Sequence, residues 1–115
     1  MLSELKHLSE KEIKALQELK KRLKDTFGKE LKEIRIFGSK VRGDFDSESD
    51  IDIFLVFDRK VDWEFENKVF GLAYELDLKF GVLFNIIIFS FKDLREPKYK
   101  ILPFVKSVKK EGVKI

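Results

Sequence analysis

Apolar and polar positions change their spacing several times along the chain, and each change marks an element. Ser9 followed by Glu12 is a capping-box pattern, and Ile13, Leu16, Leu19 or Lys20, Leu23 and Phe27 then lie on one helical stripe ended by Gly28. A helix is therefore predicted from about Ser9 to Phe27. Residues 31–37 alternate as a strand does. Residues 51–57 are apolar almost throughout, which predicts a central strand covered on both faces. Helical spacing returns over 62–79, with Phe65, Val69, Leu72 or Ala73, and Leu76 near one face, and Gly81 marks the next turn. Val82 to Phe89 reads as a third strand, Phe91 to Pro97 as a loop or short helix, and Pro103 opens a last helix that Gly112 stops. This order predicts an α+β fold: a mixed sheet of three or more strands with helices packed on it, in a single domain over residues 1–115.

Composition narrows the class. With 43% hydrophobic residues the chain can bury a core and is not disordered. No apolar run is long enough to span a bilayer, and Lys and Glu interrupt the N-terminal segment where a signal peptide needs an apolar stretch. The expected compartment is the cytoplasm. Cysteine is absent, so disulfides and thiolate metal sites are excluded. The net charge of +3 is too small an excess to point to nucleic acid, and Lys98, Lys100, Lys106, Lys109, Lys110 and Lys114 read as a solvated helix face. Abundant Lys and Glu without Cys matches the composition of hyperthermophile proteins. His7, the one histidine, reads as a surface residue.

The candidate chemistry lies between the first two strands, in Gly38-Ser39-Lys40-Val41-Arg42-Gly43-Asp44-Phe45-Asp46-Ser47-Glu48-Ser49-Asp50-Ile51-Asp52. A Gly-Ser pair directly after a strand turns the backbone tightly and exposes amide N–H groups. If residues 39–42 open a short helix, its start suits a phosphate. Ser39 adds a hydroxyl donor there, or caps the helix. Arg42 suits a phosphate contact or an ion pair with Asp44 or Asp46; Lys40 reads as a solvated lysine. Asp50 and Asp52, two positions apart on a strand, leave one face roughly 6–7 Å apart, while Ile51 and Ile53 point into a core. Their hard oxygens suit Mg²⁺ or Mn²⁺, and a carboxylate interrupting an apolar strand is costly without a partner. A phosphate turn beside metal-binding carboxylates points to a metal–triphosphate complex.

Gly38-Ser39, ten intervening residues and Asp50-Ile51-Asp52 resemble the signature of the DNA polymerase β-type nucleotidyltransferase superfamily. The fuller string, with Arg42-Gly43-Asp44 and Ser49-Asp50-Ile51-Asp52, is similar to its minimal nucleotidyltransferase branch. The resemblance implies a palm-like fold and transfer of a nucleoside monophosphate, AMP from ATP, to an acceptor hydroxyl. Gly38 and Ser39 would bind the β- and γ-phosphates, and Asp50 and Asp52 would hold the metals. It further implies a small helical HEPN-type partner in a toxin–antitoxin pair, some such enzymes placing AMP on a partner tyrosine, and possible homo- or hetero-oligomers. One position departs from the pattern: the third acidic residue of the superfamily aligns with Asn85, an amide that brings no charge and cannot act as a base. Asp44, Asp46 and Asp77 are the carboxylates that could substitute. Asn85 also keeps open a second reading, a catalytically degenerate module of the same fold that binds nucleotide or a partner.

Overall fold

The computed structural model describes residues 6–43 and 50–115, without the Ser39 side chain. The first helix, α1 (Glu10–Phe27), starts where the capping box predicts: Glu12 N–H donates to Ser9 Oγ at 3.3 Å and Ser9 N–H to Glu12 Oε1 at 2.9 Å. Gly28 ends it, and a 3-10 turn over Gly28–Glu30 leads into β1 (Leu31–Phe37). A four-residue helix, α2 (Ser39–Arg42), follows at once. β2 (Ile51–Phe57) returns antiparallel to β1, with Ile36 opposite Ile53 and Phe37 opposite Asp52. At the far end Leu31 faces Phe57 while Glu33 faces Val56, so Lys32 is one residue too many and forms a bulge.

From β2 the chain crosses through α3 (Trp63–Phe80) to β3 (Phe84–Ser90), which runs parallel to β2. A parallel partner requires such a crossover, since a tight hairpin cannot make one. Two short helices, α4 (Phe91–Leu94) and α5 (Pro97–Lys100), precede α6 (Pro103–Glu111). β4 (Val113–Lys114) then pairs antiparallel with β1, giving the sheet order β3-β2-β1-β4.

β2 is buried on both faces, as its almost wholly apolar run predicts. On one side Ile51, Ile53, Leu55 and Phe57 join Leu16, Leu19 and Leu23 of α1 and Phe65, Val69 and Leu76 of α3. On the other, Phe54 and Val56 join Leu94, Val105 and Val108. Asp52, only half-buried, is the one residue of the strand that escapes full burial. Among the described residues no helix is long and apolar enough to cross a membrane.

Three details differ from the sequence reading. The third strand begins at Phe84 rather than Val82, because the N–H groups of Gly81 and Val82 both donate to the Asp77 carbonyl (2.9 and 3.2 Å) and finish α3 first. Residues 91–102 hold two helical turns, started by Ser90, whose Oγ accepts from Asp93 N–H, and by Pro97. The fourth strand is new.

Candidate functional site

The strand register gathers the site. Asp52 sits between Phe37 on β1 and Asn85 on β3, at the end of the sheet where β1 runs out into Gly38. Gly38 has φ +79°, and a Cβ there would overlap Asp52 Oδ2. The turn backbone therefore lies directly against the carboxylate, an approach that only glycine allows. The other oxygen, Oδ1, accepts a 2.9 Å hydrogen bond from Asn85 Nδ2. One carboxylate thus joins the two halves of the motif and the position expected for a third acid. Asp50 is half-buried just ahead of β2, two residues from Asp52 and of the same parity.

The Gly38 carbonyl accepts from the N–H groups of Val41 (3.1 Å) and Arg42 (3.2 Å), which closes the turn. Those two amides are committed inside α2, so a phosphate would meet the backbone earlier, at Gly38 and Ser39. The Ser39 side chain, Asp44 and Asp46 lie outside what the structure describes.

Asp77 comes close from the C-terminal end of α3. Its Oδ1 accepts from Phe84 N–H at 3.0 Å. Burial pushes its carboxyl up, the Phe84 amide opposes this, and the negative charge of Asp50 adds to the rise, leaving it above its ordinary value. Asp77, Asn85, Phe70 and Tyr74 line an open groove of about 600 Å³ between α3 and β3.

The donor set can be tested against the metal ion that the motif implies. Among the described residues no three His, Cys, Asp or Glu side chains converge on one ion position. Two carboxylates at one strand end do fit an ion such as Mg²⁺ that takes its remaining oxygens from a triphosphate. Asn85 spends its amide N–H on Asp52 and contributes no third charge.

Lys40 overturns its expectation. Its side chain is 1% exposed, and Nζ lies 2.9 Å from Glu12 Oε2. Burial pushes the Glu12 carboxyl up, but the Ser9 amide, the Lys40 ammonium and the Ser9 hydroxyl outweigh it and hold the group below the ordinary value. One sequence signal was available: Glu12 falls on the stripe of Leu16, Leu19 and Leu23. Arg42 is half-exposed and its Nη1 lies 3.6 Å from Glu111 Oε2 at the end of α6, a partner the sequence reading did not name. His7 is half-buried against the turn, where a Cβ on Gly43 would come within 2.7 Å of its Nε2, and so is not a plain surface residue.

Comparison with known proteins gives the family and the fold. A family model described as a nucleotidyltransferase domain matches residues 16–115. Two Methanocaldococcus jannaschii proteins, each named "Putative protein adenylyltransferase", are similar in sequence. One is 43% identical over 79 residues, 69% of this chain and 74% of the relative. The other is 30% identical over 78 residues, 68% of this chain and 79% of the relative. A crystal structure described as a putative nucleotidyltransferase from Sulfolobus solfataricus matches with TM-score 0.52 and 23% identity, covering 89% of this chain and 77% of that one. That last likeness is one of fold.

Proposed function

The chain belongs to the nucleotidyltransferase domain family, and on that footing we propose that it transfers AMP from Mg²⁺·ATP to a hydroxyl group of an acceptor protein, releasing pyrophosphate. The observation that carries this reading is the Gly38 backbone packed against the Asp52 carboxylate, which sets a phosphate turn and a metal ligand side by side. Gly38 and Ser39 bind the β- and γ-phosphates. Asp50 and Asp52 hold the ion; Mn²⁺ suits the same oxygens. Bound there, the ion supplies charge neutralisation for the leaving pyrophosphate and alignment of the attacking hydroxyl. The acceptor oxygen gives up its proton to solvent and bonds to the α-phosphorus as the bond from that phosphorus to the β-phosphate's bridging oxygen breaks. Asn85 fixes the Asp52 carboxylate through Oδ1 and stands where it can orient the acceptor or a water. Arg42 lends positive charge at the edge of the turn.

The acceptor class follows the names of the two similar archaeal proteins. The resemblance of the motif to minimal nucleotidyltransferases extends the proposal to a small helical HEPN-type partner, this chain acting as the antitoxin of the pair. The test is transfer of label from α-labelled ATP to a co-purified partner, with Mg²⁺ or Mn²⁺, by the wild type and by Asp52→Asn. Label on the partner that is lost in the variant supports the proposal; no transfer by the wild type with either ion refutes it. Asn85 favours a second reading, a module that binds nucleotide or partner without turnover. It predicts metal-dependent ATP binding with no label transferred.

A further inference from the structure

The first turn of α1 and the segment leading into it touch the Gly38 turn and α2 at two points. Glu12 meets Lys40 at 2.9 Å, and the His7 ring packs against Gly43. Both His7 and Glu12 precede residue 16, where the family match begins. Lys40 lies within α2, one residue beyond Ser39, yet its side chain turns away from solvent and is 1% exposed. A lysine so placed does not meet a nucleotide itself. It acts through the backbone that carries it.

The mount at the other end is rigid. Glu12 is held by reciprocal bonds with Ser9, and α1 is anchored by Ala15, Leu16, Leu19 and Leu23 in the core. A helix of four residues cannot keep its own geometry. The bonds to the Gly38 carbonyl close the turn but do not aim it, and the half-exposed Arg42–Glu111 pair at 3.6 Å holds little. A buried ammonium, by contrast, is costly in every orientation that loses its carboxylate. The Lys40–Glu12 pair, together with Val41 packed on the core, therefore sets how α2 is rotated, and with it the direction in which the Gly38–Ser39 backbone faces.

We propose that Lys40 and Glu12 are positioning residues for the triphosphate, holding the Gly38–Ser39 backbone where it receives the β- and γ-phosphates. This rests on the reading of that turn as the phosphate site. It assigns a part in nucleotide selection to Glu12, which lies ahead of the matched domain.

The test is calorimetric affinity for Mg²⁺·ATP and for AMP, with thermal melts, on the full chain and on Lys40→Met, Glu12→Ala and Glu12→Gln. AMP lacks the phosphates that the turn would hold. A backbone N–H turned away from a phosphate oxygen forfeits a hydrogen bond to a charged group, so Lys40→Met and Glu12→Ala are expected to lose roughly ten- to a hundredfold in ATP affinity, with AMP affinity within about twofold of wild type. Glu12→Gln keeps a neutral oxygen for Lys40 and a capping side chain but removes the charge, and is expected to fall between wild type and Glu12→Ala in its preference for ATP. If Lys40→Met does not fold, the contrast between Glu12→Ala and Glu12→Gln decides. Folded variants that keep the wild-type preference, or lose ATP and AMP in parallel, overturn the proposal. A wild type that binds ATP no better than AMP overturns the phosphate reading and this proposal with it.

Discussion

Gly38→Ala tests the contact at the centre of the site, and three glycines together separate its parts. The new methyl carries two penalties. A φ of +79° costs an L-residue about 1–2 kcal/mol. The methyl also overlaps Asp52 Oδ2, and swinging that carboxylate aside breaks its 2.9 Å bond from Asn85. A hydrogen bond to a charged group is worth about 1.5–3 kcal/mol, and less here because Asn85 is exposed. The sum is about 2–4 kcal/mol. At about 4 °C per kcal/mol for a chain of this size, Tm falls by roughly 8–16 °C. Gly81 has φ +66° in the left-handed helical region, with only Lys11 Nζ at 3.9 Å from its Cβ position, so Gly81→Ala carries the backbone penalty alone. Gly71, in open space within α3, gains helix propensity as Ala, by about 0.5–1 kcal/mol. The expected order of melting temperatures is Gly71→Ala, wild type, Gly81→Ala, Gly38→Ala. Titration of Mg²⁺·ATP reads the functional side: displacing the Asp52 carboxylate lowers affinity at least about tenfold, equivalent to about 1.4 kcal/mol, and only in Gly38→Ala. A Gly38→Ala protein that melts with Gly81→Ala and binds Mg²⁺·ATP like the wild type would refute the claim that turn and carboxylate are packed together.

Asn85→Asp sets a carboxylate directly across from Asp52 on the parallel partner strand. Like charges so paired lower Tm in metal-free buffer, Mg²⁺ restores it, and label transfer from ATP rises above wild type; a Tm indifferent to Mg²⁺ counts against the metal site. Glu12 is held below its ordinary value of 4.5 in the folded protein, so its ionised form stabilises the fold. That contribution is complete above the unfolded value and is lost as pH falls through the lowered one. The Tm gap between wild type and Glu12→Gln is therefore widest near neutral pH and closes in acid, as pH-dependent melts will show. Phe57 is fully buried and meets the rings of Phe27 and Phe65 at 5.3 and 4.8 Å. Phe57→Ala costs about 3–5 kcal/mol by denaturant titration, while leaving the ATP affinity of the folded fraction unchanged.

Much of the fold could be read in the sequence because its signals are local. The Ser9/Glu12 box, the apolar run of β2 and the glycines after α1 and α3 each decide their own neighbourhood. The apolar Val82 and Leu83 make the third strand read two residues early, whereas the hydrogen bonds to the Asp77 carbonyl decide where the helix lets go. β4 is two residues long and has no period to detect; it exists because Arg35 and Ile36 offer it an edge. In the site, the spacing of Asp50 and Asp52 on a strand was visible, as was the backbone freedom at Gly38. Pairs between distant residues were not. Nothing near Lys40 announces Glu12, nothing near Arg42 announces Glu111, and Asp77 approaches Asp50 only after the crossover through α3 is made.

The bulge at Lys32 gives the sheet a slack end and a taut end. Removing Lys32 would leave Leu31 opposite Phe57 and Glu33 opposite Val56, a regular ladder, at the cost of one exposed 3.9 Å contact with Asp58. Asp52 would still stand beside Phe37 and Asn85. Removing one residue between Ile34 and Ile36 would instead slide the Gly38 end along β2 and turn the following side chains to the opposite face. Length can therefore change at the start of β1 without disturbing the active end, whereas past Glu33 the chain has no spare residue to give.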